Sequence, residues 1–323
     1  MVGYNPDPQT VRVPKYVYGF CGASAAFISR VFTQPIDVCK IRFQLQIEPI
    51  ERGSSISKYQ SLNQAFGLIV KEEGFGALWK GLLAAQSLSI VYGLVQFASF
   101  EALNQSLWNL NLTQNPRDPV FYFLCGSVSG VAATVAAHPL DVVRTRFVSQ
   151  GQQKVYSSMF QSMRLIARHE GVRGFYRGVI PAVIQIVPYN GASFAFYAKF
   201  QSMFRKYTGK TSSEAGAVES LCCGFMAGAF AKTIIYPLDV LKKRLQVQGF
   251  EEGRRGFGQL VSVHSFRHGI KEIWRIEGLA GFFKGYSPSL IKAAIATGLN
   301  FYCYEQFLSL CTNYYRKKEL RSD

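Results

Sequence analysis

An all-α membrane protein of six transmembrane helices in three tandem repeats is the fold class this sequence predicts, and three observations predict it. Three prolines stand in matching contexts, QPIDVCKIR around Pro35, HPLDVVRTR around Pro139 and YPLDVLKKR around Pro237, spaced by 104 and 98 residues. Each is followed by an acidic-Gly pair and then an aromatic-basic-Gly triplet: EGFGALWKG (73–81), EGVRGFYRG (170–178) and EGLAGFFKG (277–285). Each repeat also holds two apolar stretches near the ~20 residues that a helix needs to cross ~30 Å of hydrocarbon. Agreement at so many offsets marks an internal triplication, with units of 1–112, 113–212 and 213–323.

The first span of each repeat covers 16–34, 120–137 and 220–236 and ends at its proline. There the missing N–H and the pyrrolidine ring predict a helix kink at Pro35, Pro139 and Pro237. The second span begins after the triplet glycine, at 82–100, 179–198 and 286–304. Between the spans, stretches such as YQSLNQAFGLIVKEEG and YSSMFQSMRLIARHEG have the apolar spacing of short amphipathic helices. A soluble bundle of buried helices is the alternative, and six such runs in register with a repeat count against it. Small residues at Gly22/Ala26, Gly126/Gly130 and Gly224/Gly228 predict close helix packing on the glycine face, with Cys21, Cys125 and Cys223 as small packing residues beside them.

Composition narrows the function classes. Among 323 residues, 36 basic against 20 acidic side chains give a formal charge of +16, and 48% of residues are hydrophobic. That hydrophobicity excludes disorder. Seven cysteines lying mostly in apolar stretches do not make a secreted disulfide framework. The opening MVGYNPDPQTVRVPKY has no unbroken apolar core and little Arg or Ser, so it reads as neither a secretory signal nor a transit peptide. Nucleic-acid binding, which so basic a chain would permit, is not expected, because the charges flank membrane segments. Nor is catalysis: no nucleophile-base order, paired carboxylates or metal-spaced set stands out. His264 and His268 share a helical spacing but lack a third ligand. No cofactor or metal is expected, and the absence of a GxxxxGK[ST] loop argues against coupling to ATP hydrolysis.

Within the spans the ionisable residues are Arg30, Lys232 and Lys292, all cations. A charge at membrane depth costs several kcal/mol unless it meets water or a partner, so these predict a water-filled cavity for anions. Arg30 and Lys232 stand five residues before their prolines, where the second repeat has Thr134. Seven residues separate Arg30 from Asp37 and Lys232 from Asp239, which puts each pair on one helix face. Lys40, Arg144 and Lys242 follow Asp37, Asp141 and Asp239 by three. Around an axis, each acid can meet a neighbour's base, closing a ring of ion pairs at one mouth of the cavity.

These residues resemble the mitochondrial carrier family, whose signature is Pro-x-acidic-x-x-basic, then acidic-Gly and aromatic-basic-Gly, once in each of three repeats. The resemblance covers nearly the whole chain. It implies a threefold pseudosymmetric barrel around a central cavity, with a short matrix helix in each repeat. It further implies solute transport across the inner mitochondrial membrane by alternating access. A matrix gate would pair Asp37 with Arg144, Asp141 with Lys242 and Asp239 with Lys40. A glutamine brace beneath it maps to Gln44 and Gln246, with Val148 at the third position. The family's second gate, aromatic-acidic-x-x-basic, is incomplete: Asn104, Gln201 and Leu308 stand where the basic partners belong. Substrate-contact positions, seven residues after the triplet glycines, fall on Leu88, Gln185 with Ile186 beside it, and Lys292.

Within the family, MVGY, KIRFQLQ, VYGLVQF and RLQVQGFE are similar to the branch that carries thiamine pyrophosphate. The partner this implies is a small phosphorylated anion whose diphosphate meets Arg30, Lys232 and Lys292. Tyr92 and Tyr189 could stack on its rings, with Asn190 and Gln185 as hydrogen-bonding groups. The same three cations would also serve an adenine nucleotide or a coenzyme A-like nucleotide. Cardiolipin as the bound lipid and a monomeric state follow from the resemblance alone. Basic residues cluster after the first span of each repeat, so that side faces the matrix by the positive-inside tendency and both termini face the intermembrane space.

Overall fold

The computed structural model describes residues 14–50, 57–109, 119–152, 154–208, 217–254 and 265–319, and among them regular structure is helical. In the first repeat come α1 (Lys15–Leu45), α2 (Leu62–Glu73), a 3-10 turn (Phe75–Trp79) and α3 (Leu82–Asn109). The second contributes α4 (Pro119–Ser149), α5 (Met159–His169), the short α6 (Gly171–Phe175), α7 (Val179–Ile184) and α8 (Ile186–Thr208). The third holds α9 (Ala217–Gln246), a 3-10 turn (Glu252–Arg254), α10 (Phe266–Gly281) and α11 (Tyr286–Glu319). The spans form a closed ring in the order α1, α3, α4, α7–α8, α9, α11. Its most extensive contacts run between repeats: α3 on α4, α8 on α9, and α11 back on α1.

The helices carrying the prolines run through them and continue well beyond: α1 has 31 residues, about 45 Å at 1.5 Å per residue. The proline frees the carbonyl four residues earlier, and in the first repeat Trp79 Nε1 donates to that atom, Val31 O, at 3.0 Å. Four of the spanning helices carry apolar windows of mean hydropathy 1.4–1.5: Phe75–Asn109, Phe121–Ser149, Val179–Tyr207 and Glu219–Gln246. In α1 and α11 the length is ample, and polar residues with Arg30 and Lys292 dilute the apolar run. One expected span, 179–198, is interrupted at Gln185 between α7 and α8. Pro188, three residues on, has no N–H for the Ile184 carbonyl, which loosens the helix there.

Small-residue packing follows a different face from the one expected. The buried stripes are Cys21/Ala25/Ser29, Cys125/Ser129/Ala133 and Cys223/Ala227/Ala231. A Cβ placed on Gly22, Gly126, Gly224 or Gly228 would meet nothing within 4 Å, whereas one on Gly130 would lie 3.2 Å from Ile186 Cγ2. One residue of offset is 100° around a helix, so the cysteines, not the glycines, open the packed seam. At the α1–α11 closure Ser29 Oγ donates to Ala296 O at 3.0 Å, and the Cys21 and Cys311 sulfurs lie 3.8 Å apart.

The amphipathic helices lie at the end where the proline-bearing helices terminate. Ser61, Ser158 and Ser265 cap α2, α5 and α10 through the amides of Gln64, Gln161 and His268. In the first two the glutamine side chain returns to the amide of Gln60 (3.1 Å) or Ser157 (2.8 Å), completing a reciprocal cap. The corner into the second span needs glycine. Gly81, Gly178 and Gly285 have φ of 75°, 77° and 77°, and a Cβ on Gly178 or Gly285 would lie 2.9 Å from the carbonyl of Lys242 or Lys40.

Gly178→Ala and Gly285→Ala should each destabilise the protein by about 1–3 kcal/mol, from left-handed strain and the carbonyl clash. Gly67→Ala in α2, with open space around its Cβ position, should be neutral or slightly stabilising. Thermal unfolding of the detergent-solubilised protein measures both.

Candidate functional site

At the convergent ends of α1, α4 and α9 three carboxylates are buried around the ring's axis: Asp37, Asp141 and Asp239. Each meets the base of the next helix round. Arg144 Nη2 donates to Asp37, Lys242 Nζ lies 2.7 Å from Asp141, and Lys40 Nζ lies 3.2 Å from Asp239. The helical spacing of acid and base, multiplied by three and wrapped around an axis, is what lets every acid reach across rather than along its own helix.

Each carboxylate also holds a second cation, and of the three only Lys232 was indicated by its spacing along the helix. Lys292 of α11 lies 2.7 Å from Asp37, Lys232 lies 2.8 Å from Asp239, and Lys243 lies 2.9 Å from Asp141. The shared face of Lys232 and Asp239 is borne out, whereas the pairing of Lys292 with Asp37 joins α11 to α1 and has no counterpart in the spacing along the chain. Arg30 lies on one face with Asp37 by spacing, but its Nη1 donates to Ala85 O of α3 at 2.9 Å. The reason is geometric: Asp37 is already shared by Arg144 and Lys292. Lys232 and Lys292 keep about a quarter of their side chains exposed (27% and 26%), whereas Lys243 keeps 8%. Two of the second cations can be reached by a solute and one is sealed in.

The two glutamines behave differently. Gln246 Nε2 donates to Asp141 at 2.8 Å, and its Oε1 accepts from Thr145 (2.7 Å) and Lys243 (3.0 Å). Gln44 Nε2 instead donates to the Tyr236 hydroxyl at 3.1 Å, and no gate carboxylate is its partner. Of the aromatic and polar candidates, Tyr92 and Leu88 of α3 are half-buried and Tyr189 of α8 is exposed. Ile186 is buried against α4, and Asn190 is half-buried one turn on. Gln185 is half-buried, and its Oε1 has no donor among the described residues. On the even spans Glu101 and Glu305 are exposed, and Glu101 accepts from Gln105 at 3.0 Å.

A second threefold layer of charge lies behind the first, and the sequence reading did not find it. Arg42, Arg146 and Arg244, two residues beyond the gate bases, each grip the carboxylate of their own repeat's acidic-Gly pair through both terminal nitrogens: Glu73, Glu170 and Glu277. Lys80, Arg177 and Lys284, the bases of the triplets, close on the same three acids. The arginines also reach the next repeat round. Arg42 Nε donates to Val148 O (3.2 Å), Arg146 Nε to Gln246 O (3.1 Å) and Arg244 Nε to Gln44 O (3.0 Å). These satisfy orphan carbonyls at helix C-termini and lock the repeats into one cycle. The residue before each proline completes the layer. Gln34 and Tyr236 donate to Lys80 O (2.8 Å) and Lys284 O (3.0 Å), and His138 Nε2 lies 2.9 Å from Arg177 O. Three different side chains make one bond, so residue identity at that position carries no visible signal, although the recurring P-x-D-x-x-basic-x-Arg spacing did hold a clue to the arginines.

The third repeat adds its own strap across this end. Phe250 stacks on Tyr156 with centroids 4.5 Å apart, Arg254 Nη2 donates to Leu45 O at 3.0 Å, and Gly151 N donates to Gly253 O at 3.3 Å. His264 lies outside the described residues, and His268 sits in the first turn of α10. Outside the spans, burial pushes the Tyr59 hydroxyl up to about 12 despite its bond from Arg42. For the Glu73 carboxyl burial acts upward too, but hydrogen bonds and charge from Arg42 and Lys80 hold it below the ordinary carboxylate value.

Glu73→Gln strands the fully buried Arg42 guanidinium and should destabilise by about 3–5 kcal/mol. Glu272→Gln, partner of the exposed Arg275, should change stability by less than about 1 kcal/mol. Because the folded Glu73 titrates below its unfolded value of about 4.3, its contribution should be complete above that pH and fade as pH falls through the lower folded value. Thermal midpoints measured between about pH 3 and 7 should show that acid loss in the parent and not in Glu73→Gln.

A family model described as "Mitochondrial carrier protein" matches the chain three times, at residues 12–111, 115–208 and 213–315. A Bos taurus protein named mitochondrial thiamine pyrophosphate carrier is 43% identical over 307 residues, covering 95% of this chain and 96% of its own. A Homo sapiens protein of the same name is 41% identical, covering 97% and 98%. A Zea mays mitochondrial thiamine diphosphate carrier is 34% identical, covering 94% and 96%.

Proposed function

The chain belongs to the mitochondrial carrier family, and from that premise we propose that it carries thiamine pyrophosphate across the mitochondrial inner membrane by alternating access. The observation that supports this reading most is the 41–43% identity, over nearly the full length, to proteins named for that substrate. The site supplies chemistry to match. A diphosphate needs clustered cations, and Lys232, Lys292 and Arg30 are the cations of the lumen. Tyr92 and Tyr189 offer faces for the pyrimidine and the cationic thiazolium.

The gate gives the mechanism. In the conformation described, the basic ends of α1, α4 and α9 are held shut by Asp37–Arg144, Asp141–Lys242 and Asp239–Lys40. A diphosphate that takes Lys232 and Lys292 draws a cation away from Asp239 and Asp37, leaving each carboxylate with one partner. Asp141 keeps both, because Lys243 is buried beside Gln246. The pairs are more enclosed than a partly solvated surface ring, so breaking them costs more than about 1 kcal/mol each. Micromolar-to-millimolar binding supplies about 4–8 kcal/mol. A solute can shift the two states only by its differential affinity for them, and contacts made while the gate loosens are where that difference arises.

In this reading the basic ends face the matrix, both termini face the intermembrane space, and the chain acts as a monomer because α11 closes the ring on α1. Transport is secondary and proceeds in exchange for nucleotides or related phosphorylated anions, without a bound cofactor. Cardiolipin is the lipid partner, seated in the cleft between the start of α2 and the α10–α11 corner, where Ser61, Leu62, Lys284 and Tyr286 lie.

The test is uptake of labelled thiamine pyrophosphate into liposomes preloaded with thiamine pyrophosphate, ATP or nothing. Uptake should be brisk, and Lys292→Ala should reduce it by about tenfold or more, the loss of one charge-assisted contact. Asp239→Asn should impair transport while leaving insertion intact. No uptake of thiamine pyrophosphate, with rapid ATP or coenzyme A exchange, would transfer the substrate to the nucleotide class.

A further inference from the structure

The lumen is divided by helix, and we infer that this division orients the substrate: its diphosphate lies against α9, α11 and α1, its cationic ring against α3, α4 and α8, and Thr134 keeps the second half uncharged. This rests on thiamine pyrophosphate as the substrate and adds how it is held and what selects it.

Ring order makes the division visible. The three span cations, Lys232, Lys292 and Arg30, lie on α9, α11 and α1, which are consecutive because α11 packs on both α9 and α1. The opposite three helices, also consecutive, supply Leu88, Tyr92, Thr134, Gln185, Tyr189 and Asn190, all neutral. Two independent sets of threefold-equivalent positions split the same way. Five residues before the proline stand Arg30, Thr134 and Lys232, and seven after the triplet glycine stand Leu88, Gln185 and Lys292. The neutral half is also closely walled: Ile186 Cγ2 lies 3.2 Å and the Tyr92 hydroxyl 3.9 Å from where a Cβ of Gly130 would stand, so α3, α4 and α8 meet at that glycine.

The gate explains how position 134 can dispense with a cation. Asp239 and Asp37 take their second cation from the lumen, from Lys232 and Lys292. Asp141 takes its second from Lys243, within the gate layer. Ile41 and Thr145 stand at the positions equivalent to Lys243, so the second repeat's carboxylate is served by a lysine found at that place only in the third. With Asp141 satisfied from below, the lumen beside α4 stays neutral. A positively charged ring there meets aromatic faces and none of the three span cations, whereas the half across the lumen, which carries them, would repel it. A polyanion without a cationic end gains nothing from the neutral half.

Two variants and a competitor test this in liposomes. Thr134→Lys places a cation where Arg30 and Lys232 already show that one is tolerated, and Thr134→Gln is the neutral side chain of similar reach. Thr134→Lys should raise KM for thiamine pyrophosphate about tenfold more than Thr134→Gln does. Inorganic pyrophosphate, which lacks the ring, should inhibit Thr134→Lys as well as or better than the parent. Should Thr134→Lys fail to assemble, Leu88→Lys puts a cation in the same half and carries the same expectation. Equal KM changes for the lysine and glutamine variants, or none for lysine, would overturn the orientation while leaving the substrate in place. A parent protein that moves nucleotides and not thiamine pyrophosphate would overturn the substrate reading, and the orientation with it.

Discussion

Three carboxylates buried where three helices converge cannot remain charged without partners, and most of the structure follows from how they find them. At membrane depth an unpaired charge costs several kcal/mol. Asp37, Asp141 and Asp239 therefore each recruit a base from the next repeat and a second cation besides. The pairing runs round the axis, so no repeat can close its own site. The fold is a ring because its charges are satisfied only in a ring.

The second charge layer makes that closure mechanically firm. Arg42, Arg146 and Arg244 join the end of each proline-bearing helix to its own acidic-Gly corner and to a carbonyl of the following repeat. Breaking one buried partner strands another charge, so the layer resists piecemeal loosening. The lumen-facing pairs at Asp37 and Asp239 differ in kind, because Lys292 and Lys232 stay partly exposed and can change partners. A rigid outer layer with an exchangeable inner one is a physical basis for a gate that moves as a unit.

Much of this was legible along the chain. Three copies of P-x-D-x-x-basic, of acidic-Gly and of aromatic-basic-Gly fixed the repeat, and span length with the lone cations Arg30, Lys232 and Lys292 pointed to a lumen. The packed seam was displaced by one residue, from glycine to Cys21, Cys125 and Cys223, because a small residue marks where helices can approach and not on which side. Gln44 was expected beneath a gate pair and bonds Tyr236 instead, since a side chain's partner depends on what the neighbouring repeat presents.

The sequence by itself determined the triplication, the membrane class, the acids and bases of the gate and the glycine corners, since each depends on local spacing or local backbone freedom. Tertiary structure alone decided that Lys292 serves Asp37 and that Lys243 takes the place of a lumen cation at Asp141. These are relations between side chains about a hundred residues or more apart. The spacing of residues along one helix does not encode the rotation of the next, and only packing around a common axis sets it.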